Sequence, residues 1–505
     1  MQIYKELTTA KNGMQIPVFL SGRTMESRYN PERDAENLLN TIDENTRPAA
    51  GFFLVLGIGS GCFVKLLSDK FPEAKIAAVE LYKEDITFLE QQELVSQLNK
   101  NPQVDFCCLD ELEEFLIQNY LPGKFGELKI IEQRAWVNEN SEHIAKINSI
   151  LNKTIGIISA DFSVQAHFGK IWTSNIINNS RLAEKYNSSE FFNTIKSNNH
   201  KTAVIAGAGP TLDKTIEFVI KEPDKYYIIA TDTAGHALSK RGIIPDVVVS
   251  IDAQSVSYNH FTSTNQTDSN IKTIYAFDLC ANHSAARHIC LNNKVLFFCS
   301  GHPLAAAINT SCNSPLPYFF SGAGTVTITA LDMAVQADFQ EIRILGADFS
   351  YSNGKAYTCG TYLDTLYNTA SSKLKESEQT FSRLMFRTEL IKLDENKTTT
   401  AVLEAYKKSL ETYLCQKEIS FTKSNDIYQL HCPSNLKLSS ISDISNSFSL
   451  KPFMNKIRKS DIYEAENILL PYVAWLRNND KYKNLKYGDL LKLALGTIVS
   501  YNKEL

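Results

Sequence analysis

The chain has 505 residues, 43% of them hydrophobic and 21% charged, with a formal net charge of −4. That length predicts roughly two to four domains with large cores, and the near-balanced charge gives no electrostatic reason to expect nucleic acid or an anionic membrane as a partner. No apolar run approaches the ~18 residues of a membrane span, and the first residues, MQIYKELTTAKNGMQ, lack the charged-then-apolar layout of a signal peptide. The ten cysteines show no paired metal-ligand spacing, which predicts core residues in a reduced, cytoplasmic protein.

Residues 1–50 read as irregular except for SRYNPERDAENLLNTI, where Pro31 suits a helix start, Asn30 its cap and Glu32 its first turn. Next comes GFFLVLGIGSGCFVKLLSDKFPEAKIAAVEL. It predicts a strand over 52–56, a turn over 57–61 and a helix with Phe63, Leu66, Leu67 and Phe71 inward. A second strand over 76–79 then ends at Glu80. An acid about 20 residues past a glycine turn is the nucleoside-binding pattern. The Gly57-Ile58-Gly59-Ser60-Gly61 turn is closer to the Gly-x-Gly-x-Gly of S-adenosylmethionine methyltransferases than to a dinucleotide fingerprint. Two readings stand: adenosine held with Glu80 on its ribose, or a Rossmann-like domain that keeps the turn for packing. Residues 102–137 complete a small sheet. Residues 138–200 predict a helical connector anchored by Phe162, Phe168, Ile171 and Trp172.

From Lys201 the sequence reads KTAVIAGAGPTLD: a strand, then a turn in which Gly207 and Gly209 allow positive φ and close approach, then Pro210 and Thr211 leading into a helix. Backbone N–H groups at such a turn favour a phosphate. Strands follow over 226–231, ending in Asp232, and over 246–251, ending in Asp252. Further strands are expected over 274–277, 295–298, 318–320 and 341–345, the last followed by Asp348. A second glycine turn, Ser321-Gly322-Ala323-Gly324, opens a helix from Thr325. Strands alternating with helices imply a doubly wound parallel sheet, with ligands at the carboxyl ends of its strands. Residues 381–420 and 453–504 read as helices, the latter a small bundle suited to docking an acceptor or a second subunit. Arg383 and Arg387 are candidates for a sugar carboxylate or for a solvated helix face. The expected domains are 1–137 with the Rossmann-like βαβ unit, the connector over 138–200, a central α/β domain over 201–445 and a helical region over 446–505.

The stretches IAGAGPTLD, IIATDTAGHALSKRGIIPDVVVSIDAQ and SGAGTVTITALDMA…EIRILGADFSYSNGKAY resemble the motility-associated factor (Maf) glycosyltransferases, whose central domain is shared with hydroxymethylpterin diphosphokinase-like proteins. SRYNPERDAE and the GIGSG domain extend the resemblance over nearly the whole chain. More distantly, the central motifs are similar to bacterial CMP-sialic acid sialyltransferases. The resemblance implies a GT-A/sialyltransferase-like central domain that transfers a nonulosonic acid, of pseudaminic or legionaminic type, from a CMP donor to Ser or Thr hydroxyls of flagellin, with no metal or further cofactor required. It implies Gly207, Gly209, Pro210 and Thr211 as the first nucleotide loop. Asp232 and Asp252 would stand near cytidine and ribose, and Ser321 and Gly322 near base or phosphate. Tyr351 and Tyr357 would be donors to the leaving phosphate. Ala208 replaces the Asn of the sialyltransferase turn, and the histidine base of those enzymes has no equivalent between Tyr357 and Ile427. His431 and His302 are the nearest imidazoles by motif, and Asp348 is the carboxylate candidate for that base. The alternatives are a Mg²⁺-dependent pyrophosphoryl transferase with Asp232, Asp252 and Asp348 around the metal, a non-catalytic flagellin-binding factor, and methyl transfer at the N-terminal glycine turn.

Overall fold

The structure is a computed structural model that describes residues 2–42, 51–186, 191–262, 272–322, 324–374, 376–433 and 448–501. Ala323 of the second glycine turn, Ser434 and Asn435 of the late strand motif, and Ser445-Asn446-Ser447 at the expected last boundary lie outside these residues. The chain divides into two compact units, residues 1–170 with 460–500 and residues 171–459 with 501–505. This differs from the four segments expected. The last helices belong with the N-terminal unit through contacts remote in sequence. Lys124 pairs with Glu466 at 2.7 Å, and the Arg477 guanidinium donates to the carbonyl of Gly123.

The first unit opens with a hairpin, β1 (Tyr4–Thr9) and β2 (Gln15–Phe19), where the sequence reads as irregular. The helix Pro31–Asn40 follows, and the Asn30 side chain caps it by accepting from the Arg33 N–H. Strands β3 (Phe52–Leu56), β4 (Lys75–Glu80), β5 (Val104–Cys108) and β6 (Leu128–Glu132) form a parallel sheet in the order β5-β4-β3-β6. Strand β3 is buried at every position, as its unbroken apolar run requires when both faces are covered. A 46-residue helix, Ser141–Tyr186, begins in this unit and ends in the other.

The second unit is built on an eight-stranded sheet. Its strands are β7 (Thr202–Ala206), β8 (Tyr226–Thr231), β9 (Val247–Ser250), β10 (Ile274–Asp278), β11 (Lys294–Phe298) and β12 (Glu341–Leu345), with the later hairpin strands β16 (Ser420–Ser424) and β17 (Ile427–His431). Between them, β13 (Tyr351–Ser352), β14 (Ile391–Lys392) and β15 (Lys397–Thr399) make a small separate sheet. The large sheet runs β11-β10-β9-β8-β7-β12-β17-β16. Six strands are parallel, and the last two pair antiparallel. Chain order reverses between β7 and β12, so the switch point falls on the first glycine turn. The expected strand over 318–320 is reduced to one parallel bridge, Tyr318 with Cys299. The helix Val326–Gln336 is buried almost all round because it lies in the core over this sheet. Seven of the ten cysteines are buried, which fits their reading as core residues. No helix among the described residues is long and apolar enough to cross a membrane.

Within the same unit, the long helix is anchored by amides as well as by aromatic residues. Asn175 donates to the carbonyls of Ala253 and Cys280, and Asn179 to those of Leu279 and Ala281. These two side chains, one helical turn apart, satisfy loop carbonyls that burial would otherwise leave without partners.

Candidate active site

The N-terminal glycine turn is occupied by its own chain. Glu80 is 0% exposed and accepts from the Tyr4 hydroxyl at 3.0 Å, the Ile58 N–H at 2.7 Å and the Trp136 indole N–H at 2.8 Å. The Ser60 N–H goes to Glu26 at 2.6 Å, while Gln133 and Gln92 donate to the carbonyls of Gly57 and Gly59. A Cβ on Gly57 would stand 2.8 Å from Met25 and Trp136, and one on Gly59 would collide with Glu26. Met25, Glu26 and Trp136 pack directly against the turn, and a cavity of about 760 Å³ lies beside it, lined by Ser60, Cys62, Lys65 and Gln92 among others. Of the two readings, the geometry favours packing. Burial pushes the Glu80 carboxyl up to about 8, against the three donors that pull it down, and pushes Glu26 up to about 7.

At the switch point of the second unit, the glycines serve close approach. The Gly207 N–H donates to the Leu345 carbonyl and that of Gly209 to Gly346, both at 2.8 Å. A Cβ on either glycine would stand 2.6 Å from the Gly346 oxygen. Positive φ, expected at Gly207 and Gly209, occurs instead at Gly346. Thr211 does not offer a free N–H to a phosphate: Asp348 accepts from that N–H at 2.8 Å and from the Thr211 hydroxyl. Asp348, expected as a base, braces the loop. The helix after Pro210 is only Leu212–Thr215, too short to present the aligned dipole expected there.

The stretch after β13 crosses back over this edge. The Thr358 N–H donates to the Ala208 carbonyl at 2.9 Å, Asp213 accepts from Arg241 and Thr358, and His236 meets the Gly360 carbonyl at 2.7 Å. Tyr357 is thereby held near Asp232, Tyr351, Tyr362 and Tyr367. Desolvation, with these neighbours adding, pushes its phenol up to about 12, although the residue as a whole is 36% exposed. Burial also raises Tyr351.

Asp232, 4% exposed, accepts from Ser250 and from the Thr233 N–H, both at 2.7 Å. Asp252 accepts from Ser257 at 2.6 Å and the Gln254 N–H at 3.0 Å. Tyr362 lies in the field of both aspartates, and Tyr406 in that of Asp252. Tyr406 and Ser409 share a face of the helix Ala401–Gln416. Gly322 packs against Ser409, its Cβ position 2.6 Å from that hydroxyl, so this helix borders both Asp252 and the second glycine turn. Ser321 accepts from the N–H groups of Gly324 and Thr325.

The motif histidines fall elsewhere. His431 pairs with Glu341, where β12 begins, at the opposite end of the strands. His302 caps the helix Pro303–Thr310 through Leu304, and burial pushes its imidazole down to about 4. Arg383 ends the helix Ser377–Met385 and Arg387 lies beyond it; both are exposed. Sequence reasoning missed His260, Thr233, Tyr362 and Tyr406. Their one signal is position, within ten residues of Asp232, Asp252 or Tyr357 for the first three.

The family described as 6-hydroxymethylpterin diphosphokinase MptE-like matches residues 174–354. That range spans β7 to β12 and their glycine turns. Over 98% of its length the chain superposes on 90% of the Maf glycosyltransferase from Magnetospirillum magneticum AMB-1, with a TM-score of 0.51 and 12% identity, so it has the Maf fold. Two uncharacterised proteins of Treponema pallidum (strain Nichols) are similar in sequence. One is 37% identical over 146 residues, 28% of this chain, and the other 39% identical over 113 residues, 22% of this chain. The chain spans 66% and 40% of their lengths. The matched range 174–354 contains Asp348, Tyr351, Asp232, Asp252 and both glycine turns, while Tyr357 lies three residues past its end.

Proposed function

We propose that this protein is a glycosyltransferase that moves a nonulosonic acid from a CMP donor to Ser or Thr hydroxyls of flagellin. The observation that carries the reading is that Tyr357 and Tyr362 both lie in the field of Asp232, and Tyr362 in that of Asp252 as well, at the carboxyl edge of a doubly wound sheet in a chain with the fold of a Maf glycosyltransferase. Asp232 and Asp252 accept from ribose and cytidine donors through lone pairs left over after their internal bonds. Tyr351 and Tyr357 donate to the departing phosphate. A phenol raised to about 12 keeps its proton through the physiological range, so Tyr357 is a donor throughout. Charge grows on the phosphate as the glycosidic bond breaks, and a fixed donor there is worth more in the transition state than in the ground state. Gly207 and Gly209 let the two loops of the switch point meet, and the Asp348–Thr211 brace fixes the first of them. The site acts in the cytoplasm in this account, before the acceptor is exported.

The test is to incubate the protein with CMP-nonulosonates and flagellin and to follow CMP release and acceptor mass. Release that requires acceptor, persists with chelator and falls at least tenfold in Tyr357→Phe supports the reading. CMP release unchanged by Tyr357→Phe removes the tyrosine from it.

A second reading, Mg²⁺-dependent pyrophosphoryl transfer, is favoured by one observation. A cavity of about 680 Å³ beside the switch point is lined by Lys214, Lys221, Lys355 and Lys397 together with Asp213, Glu217 and Asp426; Lys397 pairs with Asp426 at 3.3 Å, which leaves lysines that the glycine turns lack. Stabilisation by ATP with Mg²⁺, and none by CMP, would select it.

A further inference from the structure

We propose that His260 is the base that takes the proton from the acceptor hydroxyl, with Thr233 and Asp232 as its positioning residues. This rests on the glycosyl-transfer reading above. His260 lies in the short helical segment Ser255–Phe261 that follows β9 and Asp252, at the carboxyl edge of the sheet. Its Nε2 is 3.5 Å from the Thr233 hydroxyl. That hydroxyl has one proton and donates it to Asp232 at 3.2 Å, so toward the imidazole it accepts, and Nε2 carries the ring proton. Asp232 is held in turn by Ser250 and by the Thr233 N–H.

The other ring nitrogen, Nδ1, is buried and has no hydrogen-bond partner among the described residues. An acceptor atom left so in a folded protein costs about 1–3 kcal/mol and calls for an explanation. Here the explanation is chemical. The Asp232–Thr233–His260 chain fixes the tautomer that leaves the Nδ1 lone pair bare, the arrangement a general base needs. Tyr362 stands edge-on to the imidazole, ring centroids 4.6 Å apart and planes at 88°. It is the first residue of its helix, after Gly360 at φ 90°. In this proposal the Tyr362 ring must turn aside to admit the acceptor hydroxyl to Nδ1.

The step balances without another reactant. The acceptor O–H bond breaks and its proton goes to Nδ1, while the oxygen forms a bond to the anomeric carbon of the nucleotide-activated sugar. The bond from that carbon to the phosphate oxygen breaks and its electron pair leaves with CMP. The imidazolium then returns its proton to solvent.

The experiment compares the full-length wild type with His260→Ala, His260→Asn and Thr233→Val. It measures CMP-induced thermal stabilisation, kcat and KM for transfer, and rescue of His260→Ala by free imidazole. The proposal expects unchanged CMP stabilisation and donor KM in the two His260 variants, a kcat lower by ~10²–10⁴-fold in both, partial recovery with imidazole in the alanine variant only, and an intermediate loss of kcat in Thr233→Val. Full kcat in either His260 variant overturns the proposal. So does a loss in both that imidazole does not relieve while CMP stabilisation is intact. If the wild type is neither stabilised by CMP nor able to release it from a donor, the glycosyl-transfer reading itself fails and the base with it.

Discussion

Replacing Glu80 by Gln distinguishes a packed carboxyl from a ribose ligand, because the two roles give opposite dependence on pH. The folded carboxyl titrates at about 8 and the ordinary value is 4.5. Below about pH 4.5 both states are protonated, and the fold keeps its full stability. Between those values the unfolded chain loses the proton and the folded chain keeps it, so stability falls as pH rises. At ~1.4 kcal/mol per pH unit, the fall reaches about 5 kcal/mol by pH 8 and then levels off. Glu26, raised to about 7, and Asp85, raised to about 6, add slopes of the same sign. The Gln variant loses the Glu80 contribution to that slope. It also leaves one of the three donors, from Tyr4, Ile58 or Trp136, facing an amide N–H, at a cost of about 1–3 kcal/mol. The variant is therefore less stable than wild type at pH 5 and more stable at pH 9, the two curves crossing near ~pH 6. Denaturant unfolding of the full chain, followed by tryptophan fluorescence across that range, measures the difference. A gap independent of pH refutes the reasoning. So does S-adenosylmethionine that stabilises the wild type and not the variant.

Three further outcomes follow from the same geometry. Gly59→Ala puts a methyl into Glu26 at a residue with φ of 62°, and should destabilise the chain by at least ~1–3 kcal/mol; an unchanged melting temperature would contradict the packing of that turn. Asp348→Asn leaves one Thr211 donor facing an amide, so unfolding in denaturant should show a loss of ~1–3 kcal/mol, whereas lost turnover at full stability would restore Asp348 as a catalytic group. His431→Ala removes an exposed partner of Glu341 at the far end of β12, so kcat should stay within twofold; a larger fall would mean that the site reaches that edge.

The strands were legible because runs such as FFLVL and TAVIA must be covered on both faces, and a covered parallel strand has few other readings. The same alternation placed the ligand edge at the carboxyl ends of the strands, but that β7 and β12 lie side by side and put the switch point at the first glycine turn came from the fold. What each polar group does there was not legible. Whether Glu80 meets a ribose or a tryptophan depends on Trp136, 56 residues later, and on Tyr4, 76 residues earlier. Asp348 reads as a free acid until Thr211, 137 residues before it, is seen to occupy both its oxygens. The roles of Asn175 and Asn179 were not legible either, because the carbonyls they satisfy belong to loops about 80–100 residues away. His260 was hidden for the complementary reason: the sialyltransferase resemblance implies an imidazole after the tyrosines, whereas the fold brings one from before them beside Asp232.

The central claim is that the carboxyl edge of the eight-stranded sheet handles a CMP-activated sugar. Thermal unfolding of the full chain with CMP, with and without chelator, tests it most directly, alongside ATP with Mg²⁺. At 100 times its Kd a ligand stabilises the fold by ~2.7 kcal/mol. The account predicts such a shift with CMP, unaffected by chelator and reduced in Asp232→Asn. A shift with ATP and Mg²⁺ alone would contradict it.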